Sequence, residues 1–578
     1  MSENYIIMDK KDRFILFSNP IHEIVAKNFD EVIRAFEEID RFREQKFFLV
    51  GFISYEASYG YLKFQKEIEK KKDEKLPLIW FGVFSEYRVM EIPEAKRNYK
   101  INNMTPEIDK KEYISKIDKV REYLRNGDTY QVNFTFKIFF DFKGDPFNLF
   151  LDLRKKQSVR YGYYIKLNDV SILSLSPELF FRLKNYKITT KPMKGTISRG
   201  RYLEEDVLMR RRLQKSDKNQ AENLMIVDLL RNDLGAISEF GTVRVEKLFE
   251  IEKYETVFQM TSTISSRLKA NKISETLEKL FPCGSITGAP KIRTMEIINS
   301  LESSPRGIYT GSIGIITKNF SEFNVAIRTP VIKNGEGEIG IGGGITWYSD
   351  SEEEYQEAIL KSKFIQIPPI EDFKLIETIL LKNSKLYLLN LHLKRLKKSA
   401  KYFNFKFDIE YTMNELKKAI KGIEDKRKVR LLLSRNEKVE VEILPLKNKQ
   451  DFSYIKISPE RTNSNDIFLF HKTTNRYLYN KYYEKAQEEG LIDYIFLNER
   501  GEITEGCIHN IVILKDNKLL TPKRESGLLK GVMLEYLSQK TSIKEHSLTI
   551  QDLENADKIY LCNSVSGIKR VSLLRPLP

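Results

Sequence analysis

Ser171-Ile172-Leu173-Ser174-Leu175-Ser176-Pro177-Glu178-Leu179-Phe180-Phe181-Arg182-Leu183 reads as two short strands, Ser171 to Leu175 and Leu179 to Leu183, around a Ser-Pro break. Outward from it, Phe47-Phe48-Leu49-Val50-Gly51-Phe52-Ile53 is another strand, and Lys110 to Arg125 is an amphipathic helix ending at Asn126-Gly127. Strands without regular crossover helices argue for antiparallel sheets with packed helices, an α+β fold.

One seam divides the chain: Ile365-Gln366-Ile367-Pro368-Pro369-Ile370-Glu371-Asp372. It follows a helix signal, Asp350 to Lys363, and precedes a strand signal, Phe373 to Thr378. A double proline cannot continue a helix and stiffens a short linker. The second part has a helix from His392 to Tyr402 and a hairpin of Val429 to Leu433 with Val439 to Ile443.

With 578 residues and 41% hydrophobic, the chain can bury sizeable cores, so wholesale disorder is excluded. Lys and Arg exceed Asp and Glu, 97 against 81, for a net charge of +16. The lysines are interleaved with acids, as in Glu67 to Lys75, and no nucleic-acid recognition motif accompanies them. The excess suits anionic small substrates and acidic partners better than nucleic acid. Three scattered cysteines without a CxxC point to a reducing cytoplasm. The N-terminus has no apolar targeting core, and no membrane span is expected.

Four stretches could carry chemistry. Ala221 to Asp233 has helical spacing with a stripe of Met225, Ile226, Leu229 and Leu230, and Glu222 lies on that stripe. A carboxylate facing a core is costly unless paired or bound to a cation. A frayed first-turn glutamate favoured by the helix dipole explains it equally well. In a second helix Glu354 and Glu357 share a face three residues apart. Oxygen ligands of this kind suit Mg²⁺; a solvated acidic helix start reads the same segment without a metal. Gly340-Ile341-Gly342-Gly343-Gly344-Ile345 lacks the following helix of a dinucleotide fingerprint, so its amides are better suited to a ligand carboxylate. Phe281 to Lys291 is a Gly-rich turn before a helix.

Together with Gly127 to Asn133, Ser176-Pro177-Glu178 and Lys191-Pro192-Met193-Lys194-Gly195-Thr196, these segments resemble the chorismate-utilising enzymes from about Asp109 to Lys363. The resemblance implies an antiparallel β-sheet sandwich with helices. It implies that Glu222, Glu354 and Glu357 hold Mg²⁺, that Arg328, Tyr309, Lys361 and the amides of Gly342 and Gly343 bind the carboxylates of chorismate, and that Thr287 lines the ring site. Glu178 is implied as the acid that protonates the departing C4 hydroxyl.

Two positions discriminate within the family. Water-using members resemble one another in having lysine where Gln131 stands, and glutamine cannot act as a base. Anthranilate synthases have alanine where Lys194 stands; lysine marks the aminodeoxychorismate synthases, where it is the covalent nucleophile. Gln259 replaces a histidine of many relatives and cannot titrate. Residues 1–108 resemble the family's variable N-terminal part only loosely, without its Leu-Leu-x-Ser element. No ammonia-generating site is recognisable, so the resemblance implies a separate glutamine amidotransferase subunit or free ammonia.

The second part carries Phe470-His471-Lys472-Thr473-Thr474-Asn475-Arg476, expected to end a strand and enter a helix. Ile503 to Asn510, Ser526 to Val532 and Asn563-Ser564-Val565-Ser566-Gly567 follow. This pattern, with His392-Leu393-Lys394-Arg395-Leu396, resembles the fold-type IV pyridoxal-phosphate enzymes, a two-subdomain α+β fold. The resemblance implies Lys472 as the Schiff-base lysine and Glu505 as partner of the pyridinium nitrogen. Arg395, Ser564 and the amides near Val532 would hold the phosphate. The expected organisation is a variable segment 1–108, a chorismate-binding region 109–364, a linker 365–371 and a pyridoxal-phosphate domain 372–578, through which a homodimer is compatible. The expected outcome is chorismate to 4-amino-4-deoxychorismate, then to 4-aminobenzoate and pyruvate, for folate synthesis. An amino-acid aminotransferase fused to the synthase and an anthranilate synthase are the alternatives.

Overall fold

The computed structural model describes residues 4–64, 71–156, 160–366, 372–446 and 453–574. Residues 367–371 of the expected linker, with its double proline, lie outside them, as do residues 67–70 of the charged run. The chain forms two compact units, Met1–Ser198 with Arg210–Ile370, and Arg199–Met209 with Glu371–Pro578. The sequence reading put the segment Arg199–Met209 wholly in the first part. It has too few apolar residues to announce where it packs, and its partners are more than 190 residues away.

The first unit is two ten-stranded antiparallel sheets. Strands Val170–Ser176 and Leu179–Lys184 are both present, but they do not pair with each other. The first runs between strands Tyr161–Leu167 and Val331–Lys333; the second, in the other sheet, runs between Lys187–Lys191 and Phe320–Asn324. The Ser-Pro break passes the chain from one sheet to the other, and Ser176 secures it by donating to the Val325 carbonyl at 2.6 Å. A core between the sheets joins Ile6, Ile165 and Ile172 of one to Phe52, Ile313 and Ile315 of the other. Helices cover the outer faces, with Val32–Arg43, Asp217–Ile237 and Ile273–Leu280 on one side and Lys110–Arg125, Lys291–Leu301 and Ser351–Ser362 on the other.

In helix Asp217–Ile237 the buried stripe is Asn223, Ile226, Val227, Leu230, Leu234 and Ile237. That is rotated from the expected Met225, Ile226, Leu229, Leu230 stripe, because buried Asn223 accepts a 2.5 Å hydrogen bond from Ser262 and so faces the sheet. Glu222 is left at the edge of the buried face, only partly covered.

A buried charge network pins the loops of this unit. Arg306 donates to both Glu302 oxygens at 2.7 and 2.8 Å, to the carbonyls of Ile286 and Asn133 at 2.8 and 2.7 Å, and lies 4.5 Å over the Tyr55 ring. Glu56 in turn accepts from the backbone N–H groups of Arg306 and Gly307.

The second unit has two parts. A four-stranded antiparallel sheet, centred on Leu375–Lys382 and Arg427–Leu433, packs under helices Leu389–Phe403 and Ile409–Ile420. An eight-stranded mixed sheet carries Asp493–Leu497, Ile503–Gly506 and Asn510–Lys515. The stretch before Lys472 is not a strand: a short 3₁₀ turn, Ile467–Phe470, precedes it and a helix begins at Tyr477. A four-residue apolar run, Ile467-Phe468-Leu469-Phe470, is too short for periodicity to separate strand from turn. Residues 374–376 hold Lys472 instead, with Ile376 N–H donating to its carbonyl and Thr474 N–H to that of Lys374, both at 2.9 Å.

Removing one member of a buried ion pair strands the other. Arg306→Ala should therefore cost about 3–5 kcal/mol in urea unfolding, against about 0–1 kcal/mol for an exposed pair.

Candidate active sites

In the first unit the strand Glu336–Ile345 pairs with Gln131–Lys143 so that Gly342, Gly343 and Gly344 lie opposite Thr135, Phe134 and Asn133. At Gly342 glycine is required by space. A Cβ on Gly342 would meet the Phe134 carbonyl at 2.2 Å. A Cβ on Gly343 would point at Glu354 Oε2, 3.2 Å away, with Lys361 Nζ at 3.7 Å. A Cβ on Gly344 would strike Gln131 Nε2 at 2.2 Å and approach Lys194 Nζ at 3.1 Å. The approaches at Gly343 and Gly344 bring Lys194, Gln131, Glu354 and Lys361 over one bare stretch of strand. Lys361 donates to the Gly342 carbonyl at 2.9 Å and pairs with Glu357 at 2.8 Å.

Lys194 sits on the strand Met193–Ser198. Burial lowers its pKa, against the charges of Glu222 and Glu178, which raise it. Glu178 shows the complementary effect: burial raises its carboxyl to about 7, opposed by the Ser285 hydroxyl, Lys194 and the Met193 N–H. Both shifts favour a neutral amine beside a neutral acid. Thr287 is fully buried, and its carbonyl accepts from Asn133 N–H at 2.7 Å, directly across from Gly344. Tyr309 packs its ring on Gly340. Arg328 has φ +52°, and burial lowers its pKa against the opposing charge of Tyr254.

The three expected metal ligands share a neighbourhood rather than a coordination sphere. Among the described residues no three His, Cys, Asp or Glu side chains converge closely enough to hold a metal. Burial raises the Glu222 and Glu354 carboxyls, and the Glu357 charge adds to both. Glu357 is engaged by Lys361 in an ion pair at 2.8 Å. As donors, three mutually repelling carboxylates fit a hard divalent cation.

In the second unit a cavity of about 1540 Å³ opens beside Lys472 and is lined also by Glu505, Arg395, Val532 and Ser564. These four and Lys472 came from the sequence, and the structure brings all five to one cavity. Burial, with Arg476 and Arg395 nearby, lowers the Lys472 amine to about 7 against Glu377 and Glu505. Burial raises Glu505 to about 8. Its carboxylate accepts from Leu529 N–H at 3.1 Å, Tyr479 O–H at 3.2 Å and Asn510 Nδ2 at 3.3 Å. A buried acid aimed into a cavity and oriented by three donors fits a protonated pyridine nitrogen, so the residues suit pyridoxal phosphate. Val532 opens a seven-residue helix behind Gly531, where a Cβ would strike Asn510 Oδ1 at 1.9 Å. The Ser564 hydroxyl donates to the Thr378 carbonyl at 3.3 Å.

Sequence reasoning missed the group that fixes Arg395. Glu377 receives Arg395 Nε and Nη2 at 2.9 and 2.7 Å and His392 Nδ1 at 2.6 Å. Against burial, which acts to raise it, those two hold Glu377 down at about 2. The legible signal was His392-x-x-Arg395, an imidazole and a guanidinium on one helix face above a glutamate in the preceding strand.

Residues 87–366 match the model of the chorismate binding enzymes, and residues 374–574 that of the class IV amino-transferases. Over these two stretches the chain is similar to the chorismate binding enzymes and to the class IV amino-transferases. The chain is 46% identical over 265 residues to a probable chloroplastic aminodeoxychorismate synthase of Oryza sativa subsp. japonica, covering 44% of this chain and 29% of that one. It is 41% identical over 262 residues to aminodeoxychorismate synthase component 1 of Escherichia coli (strain K12), covering 45% and 57%. The chain thus spans less than two thirds of either relative. Anthranilate synthase component I from Streptococcus pneumoniae TIGR4 superposes with a TM-score of 0.55 at 26% identity, covering 62% of this chain and 93% of that one. Among the described residues no helix is long and apolar enough to cross a membrane.

The Glu505 carboxyl carries its proton to about 8 in the folded protein but releases it near 4.5 when unfolded. Its contribution to stability is full below about 4.5 and is lost as pH rises through 8. Lys472, depressed from 10.5 to about 7, has the opposite sign: its contribution is present above 10.5 and lost as pH falls through 7. Urea midpoints of the cofactor-free protein across pH should therefore lose, in Glu505→Gln, a decline that runs from about pH 4.5 to about pH 8. In Lys472→Met they should lose the component that falls with acidification.

Proposed function

We propose that the chain makes 4-aminobenzoate in two steps, converting chorismate and ammonia to 4-amino-4-deoxychorismate and then eliminating pyruvate. The observation that carries the first step is Lys194, a lysine depressed by burial beside Glu178 and against the bare strand at Gly344. In the first step Lys194 Nζ adds to ring carbon C2, the double bond shifts, and the C4 hydroxyl leaves as water with a proton from Glu178. Ammonia then adds at C4, the bond shifts back, and Lys194 is expelled. The net change is one hydroxyl for one amino group, with one water released. Low dielectric favours the neutral Lys194–Glu178 pair over the charged one, and the neutral forms are the reacting ones.

Glu222, Glu354 and Glu357 would hold Mg²⁺, which supplies positive charge against the substrate's ring carboxylate. Lys361 and the amides at Gly342 and Gly343 are placed for a second carboxylate. Gln131, with its Oε1 buried and unpartnered among the described residues, cannot activate water as a base. Ammonia reaches the site from a separate glutaminase subunit or from solution. A reducing cytoplasm suits the three unbonded, buried cysteines.

In the second unit Lys472, Glu505, Arg395, Val532 and Ser564 would hold pyridoxal phosphate, which when bound supplies an electron sink. Lys472, near neutrality at about 7, can take the proton from the amine-bearing ring carbon. The Glu505 carboxylate would partner the ring nitrogen and keep it protonated. Loss of enolpyruvate makes the substrate ring aromatic, a driving force that amino-acid substrates lack. The presence of a synthase on the same chain supports elimination over transamination.

Product analysis of the full-length protein with chorismate, ammonia, Mg²⁺ and pyridoxal phosphate tests this reading. Pyruvate and 4-aminobenzoate should appear in equal amounts with no keto-acid acceptor; activity only as an amino-acid/keto-acid transaminase would refute it. Lys194→Ala should lower 4-amino-4-deoxychorismate formation by about 10²-fold or more. Lys472→Ala should accumulate 4-amino-4-deoxychorismate and release no 4-aminobenzoate.

A further inference from the structure

The segment Arg199–Met209 belongs to the second unit although it follows the strand that carries Lys194. It is a compact strap. Arg199 forms two hydrogen bonds to Asp206, at 2.5 and 2.8 Å, and the two side chains are only 5% exposed. Asp206 also accepts from Gly200 N–H at 3.2 Å. Gly200 has no room for a side chain: a Cβ there would meet Asp206 N at 2.2 Å and Glu205 C at 2.4 Å.

The closed strap grips one place. Arg199 lies 4.4 Å over the Tyr402 ring, and Tyr402 O–H donates to the Gly200 carbonyl at 2.7 Å. Tyr402 stacks on His471, with ring centres 4.5 Å apart, and Phe403 meets the same imidazole edge-on at 4.6 Å. His471 Nε2 lies 3.2 Å from the Arg201 carbonyl, which can only accept, so Nε2 carries the proton. Nδ1 then accepts from the Ser399 hydroxyl at 2.9 Å. Burial keeps this imidazole neutral, with its pKa near 3. Tyr202 and Arg201 close the box over Phe470, at 5.3 and 5.0 Å, and Arg524 lies 3.6 Å over Tyr202.

The next residue is Lys472, whose own carbonyl is taken by Ile376 N–H. Its backbone is therefore fixed from two sides: by residues 374–376 after it, and by His471 in the strap's box before it. We propose that the strap Arg199–Asp206 positions Lys472 in its cavity by holding His471 through the Arg201 carbonyl and the Tyr402 ring. His471 and the strap are positioning residues. The inference rests on the reading of Lys472 as the lysine that binds pyridoxal phosphate.

The test uses full-length protein loaded with pyridoxal phosphate, with two readouts: the pH midpoint of the cofactor's visible absorbance and the cofactor dissociation constant. Gly200→Ala and Tyr202→Ala change no charge, and they leave Arg476, Arg395, Glu377 and Glu505, which face Lys472, in place. Both should move the midpoint by about half a pH unit or more and weaken cofactor binding about tenfold. His471→Gln, whose amide can still donate to the Arg201 carbonyl, should stay nearer the parent than His471→Leu. Cofactor-free unfolding midpoints identify variants that have lost the fold; if Gly200→Ala is one, Tyr202→Ala and the His471 pair decide. Parent-like midpoints and affinities in the folded variants overturn the proposal. Lys472→Ala separates this from failure of the underlying reading. If it leaves the borohydride-reducible absorbance intact, Lys472 is not the cofactor lysine and both fall. If it abolishes that absorbance while the strap variants match the parent, only the strap's role falls.

Discussion

The first unit hangs on the contact between the Arg306 guanidinium and the Glu302 carboxylate. An arginine with almost no exposure is tolerable only if every N–H has an acceptor, and here the acceptors come from distant stretches of chain. The Ile286 carbonyl immediately precedes Thr287, and the Asn133 carbonyl lies on the strand opposite the glycine run. Glu302 spends its second lone pairs on Thr135 N–H and O–H, on that same strand. One ion pair thus sets the spacing between the Thr287 turn, the Gln131–Lys143 strand and the loop that ends in Tyr309. Strand pairing alone fixes register along a sheet; it does not fix how far a loop stands from a strand, and the guanidinium does that.

The two candidate sites solve one electrostatic problem in the same way. Each places a lysine and a carboxyl where water is scarce, and each shifts the amine down and the acid up. Neither uses a histidine to hold the mobile proton; the second unit's His392 and His471 are both depressed by burial and serve as neutral or ion-paired struts. What separates the sites is the fate of the positive charges. Around Lys194 the carboxylates Glu222, Glu354 and Glu357 are in excess, which suits a cation. Around Lys472 Arg395 and Arg476 add to the amine, which suits an anionic cofactor.

Resemblance to two families, carried by the order of their motifs, named Glu178, Lys194, Thr287, Gly343, Lys361, Lys472 and Glu505 as candidates, while the helices and most strands followed from periodicity. The sequence could not show that Ser176-Pro177-Glu178 changes sheets, because a proline break looks the same in a hairpin. The helix at Glu222 was read a fraction of a turn out, since an asparagine, taken as polar, is buried by its bond to Ser262. The supposed strand before Lys472 was a turn because the order there comes from residues 374–376, nearly a hundred positions earlier. Ligand convergence at Glu222, Glu354 and Glu357 was also beyond sequence: spacing on a helix says which carboxylates share a face, not where they point.

The strap has a consequence for heredity. Two joined enzymes are usually pictured as beads, each recoverable by cutting the gene between them. Here a cut at the codon for residue 371 would deprive the second unit of eleven residues that belong to its own fold and are encoded some 160 codons upstream. Two separate genes cut at that codon would encode a downstream piece without the contacts of Arg199–Met209 to Tyr402 and His471.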